Sequence, residues 1–502
     1  MPSALLEAAG MLMDPAVLIA IVLGASYGLF MGAMPGLTAT MAMALMIPFV
    51  IFVPTAPALA AIIAMHSTAI LAGDFPGALL RIPGTPASAA YVEDSYAITQ
   101  RGHGYEALGI HTLGACLGGL AGVVALVMAA PLLAEGALHF TTFEYFWLAI
   151  LGLSAAIAIS QGSMLKGLIA TCIGLLLATV GLDVTMGYPR FTFGNEGLMS
   201  GIHLVPAMIG LFGLSQVMRT VAEGPTTVGD VPDVALNDRS FRPIRRAFRM
   251  HWRHGVRGAG IGTVVGALPG AGPDIAAYVT YAATKGSSKT PQEFGTGSRE
   301  ALVACSISNN ASLASAWVPT LVLGIPGDAG TAMLIGVLLM HGLQPGPQLF
   351  TQQASLMYTI FILFFLASLL LLPIGYIAMR IGTRLLAVPK DVLMPLIVLS
   401  CTIGAFAVNN SLFDVGVMVG MGLLGFVMER RGMSVAPVLL ALILGPIIEQ
   451  NFMASVMKTN WGLLEFVSRP VSIVLVVLTI VALSAPNLRK LWRSSRRVDQ
   501  QV

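Results

Sequence analysis

Gly32-Ala33-Met34-Pro35-Gly36 returns as Gly266-Ala267-Leu268-Pro269-Gly270, and Ile82-Pro83-Gly84 returns as Ile325-Pro326-Gly327. Each copy interrupts a long apolar stretch. Proline removes a backbone donor and glycine weakens a helix, so Pro-Gly breaks a helix where it falls. In a membrane chain, paired breaks at corresponding places in two halves point to a transporter's binding site.

The composition supports the membrane reading. Of 502 residues, 56% are hydrophobic and only 10% are charged, and the mean hydropathy is +0.83. No soluble core needs that much apolar surface, and segments such as 355–379 and 471–488 are long enough, or nearly so, to span a bilayer. The 55 glycines suit close helix contact in lipid. The net charge of +3 is carried by clusters of Lys and Arg that set orientation, which excludes nucleic-acid binding as their reading. Cys116, Cys172, Cys305 and Cys401 lie far apart in apolar surroundings and are read as small packing residues. No Lys or Arg precedes Arg81, so the first apolar run is expected to stay as a helix rather than act as a signal peptide.

The repeat is ordered along the chain. Gly28 and Gly262, Gly32 and Gly266, and Pro35 and Pro269 are each 234 positions apart. Pro76 and Pro319, and Pro83 and Pro326, are 243 apart; a polar insert at 285–297 accounts for the difference. Gly174-Leu175-Leu176 and Gly422-Leu423-Leu424 follow at 248. An internal duplication is expected.

Charge placement gives the direction of each half. The stretch 219–257 ends in Arg239, Arg242, Arg245, Arg246, Arg249, Arg253 and Arg257. Phe241, Ile244, Phe248 and Trp252 recur among them at helical spacing. This reads as a basic amphipathic helix on lipid, with a solvated basic loop as the alternative; either belongs in the cytoplasm. Apolar runs at 105–131, 141–160, 164–182 and 198–218 then put Arg101 and Lys166 inside, and Glu135, Asp183 and Glu196 outside. Arg190 falls outside as the exception. Runs at 353–379, 391–408, 412–428 and 434–449 put Arg380, Arg384, Lys390, Arg430 and Arg431 inside, and Asp414 and Glu449 outside. Corresponding runs cross in opposite directions, so the repeats are expected to be inverted.

The predicted architecture is an all-α polytopic membrane protein with two inverted repeats containing broken or re-entrant helices. Residues 1–218 form the first repeat, 219–257 the cytoplasmic linker and 258–468 the second repeat. Residues 469–502 form an extra transmembrane helix and basic tail. The N-terminus is expected in the periplasm and the C-terminus in the cytoplasm.

A helix broken at membrane depth frees backbone groups that protein, water or ligand must satisfy. Half-helix N-termini suit carboxylates; freed carbonyls and side-chain oxygens suit Na⁺. Carboxylates are expected at the half-helices around Pro35, Gly36, Pro83, Gly84, Pro269, Gly270, Pro326 and Gly327. Thr38, Thr40, Thr85, Gly272, Ser308, Asn309 and Asn310 are the candidate polar contacts. Arg81 is the candidate counter-charge, since intramembrane charges are functional hypotheses by default. Asp74, Asp274, Ser306, Asp328 and Thr331 are candidates for the coupling ion. The competing readings are Pro kinks with N-caps for the breaks, helix-to-helix hydrogen bonding for 305–312, and, for Asp74 and Arg81, pairing with each other or a place at the membrane surface. His66 and His111 could relay protons or be packing residues. No HExxH, P-loop or GxSxG occurs, so no catalytic residue or enzymatic cofactor is assigned.

At these motifs the chain resembles the large membrane subunit of the tripartite tricarboxylate transporters, the TctA family. The resemblance runs through Gly28–Thr40, Ile82–Gly102, Gly262–Asp274 and Ser308–Pro347, and includes Asn309-Asn310-Ala311 and His341-Gly-Leu-Gln-Pro-Gly-Pro347. It implies a secondary transporter of the bacterial inner membrane that takes up organic acids using a Na⁺ or H⁺ gradient. It also implies a small membrane subunit and a periplasmic solute-binding protein as partners. Two stretches depart from the family pattern: 66–77, which contains Asp74, and Ile307-Ser308 before the Asn pair. A passive anion channel and a Na⁺-translocating decarboxylase subunit are the alternative classes.

Overall fold

A computed structural model describes residues 2–34, 36–159, 163–183, 186–223, 240–385, 390–462 and 464–498. The described chain is nearly all helical; one sheet pairs Gly181–Leu182 with Pro189–Arg190. Among the described residues, seven helices are long and apolar enough to cross a membrane, and six shorter apolar helices accompany them.

The first half runs α1 (Pro2–Leu12), α2 (Pro15–Ala33), α3 (Ala39–Val50), α4 (Thr55–Ala72), α5 (Asp74–Leu80), α6 (Val92–Ile98), α7 (Gly104–Ala137), α8 (Thr142–Ile159), α9 (Met164–Ala178), α10 (Leu204–Met208) and α11 (Ser215–Glu223). The wide turn Ile209–Leu214 joins the last two. The second half runs α12 (Arg242–Gly266), α13 (Gly272–Ser287), α14 (Arg299–Ser315), α15 (Trp317–Leu323), α16 (Ala329–Met340), α17 (Gln348–Gln352), α18 (Ala354–Leu385), α19 (Lys390–Asn409), α20 (Leu412–Arg430) and α21 (Ala436–Lys458). Short α22 (Glu465–Ser468) and long α23 (Pro470–Val498) follow. The basic segment expected as an amphipathic helix or a loop is helical from Arg242, kinks at non-helical His251 (φ −109°) and runs on into the second half, while Arg239 lies outside the described residues.

The two halves are held by the same device. A Cβ at Gly24, Gly28 or Gly32 of α2 would lie 2.3, 2.2 or 2.3 Å from the carbonyl oxygens of Ala61, Met65 and Ala69 on α4. At Gly258, Gly262 and Gly266 of α12 it would lie 2.3, 2.4 and 2.4 Å from those of Ala304, Ser308 and Ser312 on α14. Glycine at every fourth position lets the two backbones touch, which is how helices associate without a hydrophobic drive from lipid. The offsets are 234 and 243 residues, as in the motifs.

Residues that charge placement assigns to one side also meet. Lys166 at the start of α9 donates to the carbonyl of Arg431 beyond the end of α20, 2.7 Å away. Arg190 forks onto Glu449 at 2.6 and 3.0 Å and lies 3.5 Å from Asp183, so the cation that was the exception to the charge pattern is neutralised. The polar insert is anchored by buried Asp94: its Oδ1 accepts the N–H groups of Gly295, Gly297 and Ser298 at 2.8, 2.9 and 2.8 Å.

Candidate functional site

Each predicted break is a real interruption with its own local chemistry. After α2, Gly36 adopts φ +91°, and Thr38 caps α3 by accepting the N–H of Met41 at 3.1 Å. Thr40 lies 2.8 Å from Thr38, hydroxyl to hydroxyl. After α12, Gly270 and Gly272 take φ +78° and +52°, and Asp274 enters the first turn of α13. The left-handed region costs glycine nothing, whereas a Cβ would be strained there. Pro35 lies outside the described residues.

The second pair of breaks also matches. α5 ends in left-handed Arg81 (φ +62°) and α15 in left-handed Gly324 (φ +69°), 243 positions on. Thr85 and Ser88 bond reciprocally, each side-chain oxygen accepting the other's N–H at 3.2 Å. Their counterparts Asp328 and Thr331 form a full capping box for α16: Thr331 N–H donates to Asp328 Oδ1 at 2.7 Å, and Asp328 N–H to Thr331 Oγ1 at 2.8 Å. Thr331 is thus engaged in capping.

The four breaks meet at one place. A cavity of about 840 Å³ is lined by Gly36 and Thr38, by Pro83, Gly84 and Thr85, by Gly270, Gly272 and Asp274, and by Asp328. An adjoining space of about 530 Å³ shares Thr38, Thr85, Asp274 and Asp328 with it and extends to Thr40, His66 and Asn309. Pro326 and Gly327 stand directly behind Asp328. A Cβ at Gly327 would lie 2.8 Å from the Ala316 carbonyl, so this glycine serves close packing. Pro269 adjoins the lining in the same way.

The remaining candidates are placed elsewhere. Ser308 is fully buried, accepts from Thr280 Oγ1 at 2.7 Å and donates to the Ala276 carbonyl at 3.4 Å, fastening α14 to α13. Ser306 bonds His111 at 2.9 Å. Asp74 is 2% exposed, accepts the Tyr91 hydroxyl at 2.7 Å and lies 3.3 Å from His111 Nδ1. Arg81 points away from the cavity into an exposed pair with Glu93 at 2.8 Å, which raises its pKa above the ordinary value. An Asp74–Arg81 pair does not form. The left-handed cap at Arg81, where the second half has glycine, turns this side chain outward.

Asn309 and Asn310 are at most 1% exposed. Asn309 Nδ2 donates to the Tyr91 hydroxyl at 3.1 Å, while its Oδ1 has no protein partner among the described residues. Both polar side-chain atoms of Asn310 and Nδ1 of His66 are likewise unpartnered. An orphaned buried polar atom costs about 1–3 kcal/mol. Asn309 and His66 occupy equivalent positions in the two halves, and both face the adjoining space.

The motifs did not point to one wall of the cavity. Gln216, Arg219, Thr220 and Glu223 line it from α11. Gln216 Nε2 donates to the Gly36 carbonyl at 3.0 Å, holding one freed acceptor of the first break. Arg219 pairs with Glu223 at 2.8 Å. Their i, i+3, i+4, i+7 spacing is the signal that marks one helix face; in the sequence it was split between the last apolar run and the polar linker. The combined space carries the carboxylates of Glu223, Asp274, Asp328 and Glu429 against the single guanidinium of Arg219.

The chain matches the profile of the tripartite tricarboxylate transporter TctA family over residues 18–440. It is 32% identical over 452 residues, 89% of each chain, to an uncharacterized 52.8 kDa protein in the TAR-I ttuC' 3' region of Agrobacterium vitis. It is 33% identical over 220 residues to an uncharacterized protein in the TAR-II ttuC' 3' region of the same organism, covering 44% of this chain and 91% of that one. No solved structure matches. Transporter-type helix breaks on one cavity, and a family match over most of the length, lead to one assignment: the chain belongs to the tripartite tricarboxylate transporter TctA family.

Proposed function

We propose that this chain is the large transmembrane subunit of a binding-protein-dependent secondary transporter, not an enzyme, that imports organic acids across the bacterial inner membrane. The observation that carries the reading is the convergence of all four Pro-Gly breaks on one cavity. Its helix starts offer N–H groups and positive partial charge to carboxylates. Arg219 offers a guanidinium, and the hydroxyls of Thr38, Thr40 and Thr85 together with Asn309 offer polar contacts.

The cavity's charge argues for cation coupling. The acidic lining disfavours an anion that arrives alone, and Asp274 and Asp328 are suited to a co-transported Na⁺ or H⁺. Alternating access uses the two repeats, 1–218 and 258–468, joined by the 219–257 linker and followed by the 469–502 helix and tail. The meeting of the start of α9 with the end of its counterpart α20 supports opposite orientation of the repeats. The basic face of α12 lies on the cytoplasmic lipid surface, with the C-terminus on the same side and the N-terminus in the periplasm. A small membrane subunit and a periplasmic solute-binding protein complete the transporter.

The test is uptake into proteoliposomes containing the chain and both partners, with a Na⁺ or H⁺ gradient imposed and a panel of radiolabelled organic acids offered. Accumulation is expected to need both a gradient and the binding protein. Uptake indifferent to both would mean a passive channel and end this reading.

A further inference from the structure

A buried polar chain leads away from the cavity and contains Asp74 and His111, which the site above does not use. Asn309 faces the cavity space and donates from Nδ2 to the Tyr91 hydroxyl at 3.1 Å. Tyr91 donates to Asp74 Oδ1 at 2.7 Å. Asp74 Oδ2 lies 3.3 Å from His111 Nδ1. His111 is held at both ring nitrogens, Nδ1 2.9 Å from Ser306 Oγ and Nε2 2.7 Å from Ser95 Oγ. Tyr91, Asp74 and His111 are 1%, 2% and 0% exposed.

The direction of donation along this chain is set by the charge of Asp74. A carboxylate only accepts, so Tyr91 must donate to it; the Tyr91 oxygen is then free to accept, and Asn309 turns its NH₂ inward. That leaves the acceptor Oδ1 of Asn309 without a protein partner. A protonated Asp74 donates instead. Tyr91 then accepts from Asp74 and donates to Asn309 Oδ1, and the amide turns its NH₂ toward the cavity.

We infer that Asp74 is a proton-coupling site, that Tyr91 transmits its protonation state to Asn309, and that His111 is a positioning residue. The inference rests on the transporter reading above and names H⁺ as a coupling ion. One proton taken from the outer side binds Asp74 Oδ1 and neutralises the carboxylate. The cavity face of Asn309 changes from an acceptor, which repels a carboxylate, to a donor, which binds one. Release of that proton to the inner side restores the carboxylate, reverses the chain and frees the anion. No bond other than the O–H bond is made or broken.

The other titratable groups around the pair are few. Cys305 on α14 and Asp94 on α6 adjoin it, and Tyr281 on α13 donates to Asp94 Oδ2 at 2.9 Å. Of the elements packed on α5, α4 carries His66, which lies against Gly330, and α2 carries Tyr27, whose hydroxyl is bonded to the Ala42 carbonyl at 3.2 Å, so both are engaged elsewhere. Among these groups, only Asp74 is linked to the cavity through a hydroxyl.

Two measurements test the inference. In Na⁺-free proteoliposomes with both partners, wild type should accumulate at least one of citrate, succinate and benzoate under an inward proton gradient and lose that accumulation with a protonophore. Asp74→Asn and Tyr91→Phe should lower the accumulation at least about tenfold, the effect of one charge-linked hydrogen bond. In the substrate-free protein, infrared titration should reveal a protonated-carboxyl band that Asp74→Asn removes and Tyr91→Phe keeps. Accumulation driven by Na⁺ alone, or undiminished in Asp74→Asn, overturns the inference while leaving the transporter reading intact. If no acid is transported, the transporter reading fails. The infrared titration still decides, because a wild type without a titrating Asp74 band overturns the proton site.

Discussion

α5 and α15 occupy corresponding places 243 positions apart, and the first residue of each shows how the two halves differ. Both are seven residues long, both follow the glycine-packed helix of their half, and both end in a left-handed residue. α5 begins with buried Asp74, bonded to Tyr91. α15 begins with buried Trp317, packed edge-on against Phe364 at 4.7 Å between ring centroids. At another equivalent pair, His66 of the first half and Asn309 of the second line the same space. The backbone features survive in both copies because each solves a steric problem common to both. The side chains that carry charge or donors do not, because only one copy of each is needed around a shared cavity.

The comparison can be broken most severely at Trp317. Trp317→Ala removes a fully buried ring, and a loss of about 3–5 kcal/mol is expected. Thermal unfolding of the detergent-purified protein should reveal it as a clear drop in Tm. A small drop would mean that α15 is not the packed counterpart assumed here.

Next come the matched glycines. Gly28→Val and Gly262→Val each place a side chain where even a Cβ would lie 2.2 or 2.4 Å from a carbonyl oxygen. Overpacking of this kind costs about 1–3 kcal/mol or more. The two variants should lose similar amounts of folded protein in size-exclusion profiles. A large disparity would show that the halves bear load differently.

Asn309→Ala sharpens the contrast in chemistry. It should weaken gradient-driven uptake about tenfold, as the loss of one hydrogen bond to a charged group does, with Tm and membrane insertion little changed. Normal uptake would remove Asn309 from the site. The smallest effect is expected at Arg81, whose ion pair is exposed. Arg81→Gly copies Gly324 of the other half, and uptake should stay at the wild-type level; a marked loss would return Arg81 to the binding machinery.

Much of the site was legible because it is made of backbone. Gly36, Gly270 and the caps at Thr38 and Asp328 act within a few residues of themselves, so their spacing reveals them. Arg81 misled because its direction depends on a left-handed cap and on Glu93, twelve positions away. Gln216, Arg219 and Glu223 were hidden because a polar helix end looks the same whether it faces water or a cavity.

The sequence alone determined the membrane class, the doubled order of elements, the positions of the breaks and the family pattern, since all of these follow from local propensity, hydropathy and charge. Only the tertiary structure decided that four breaks share one cavity. Only it decided that Ser306 meets His111 across 195 positions and that Tyr91 joins Asp74 to Asn309. Such meetings depend on how closely glycine-faced helices approach and which side chains that approach brings within hydrogen-bond reach, and no periodicity along the chain encodes that distance.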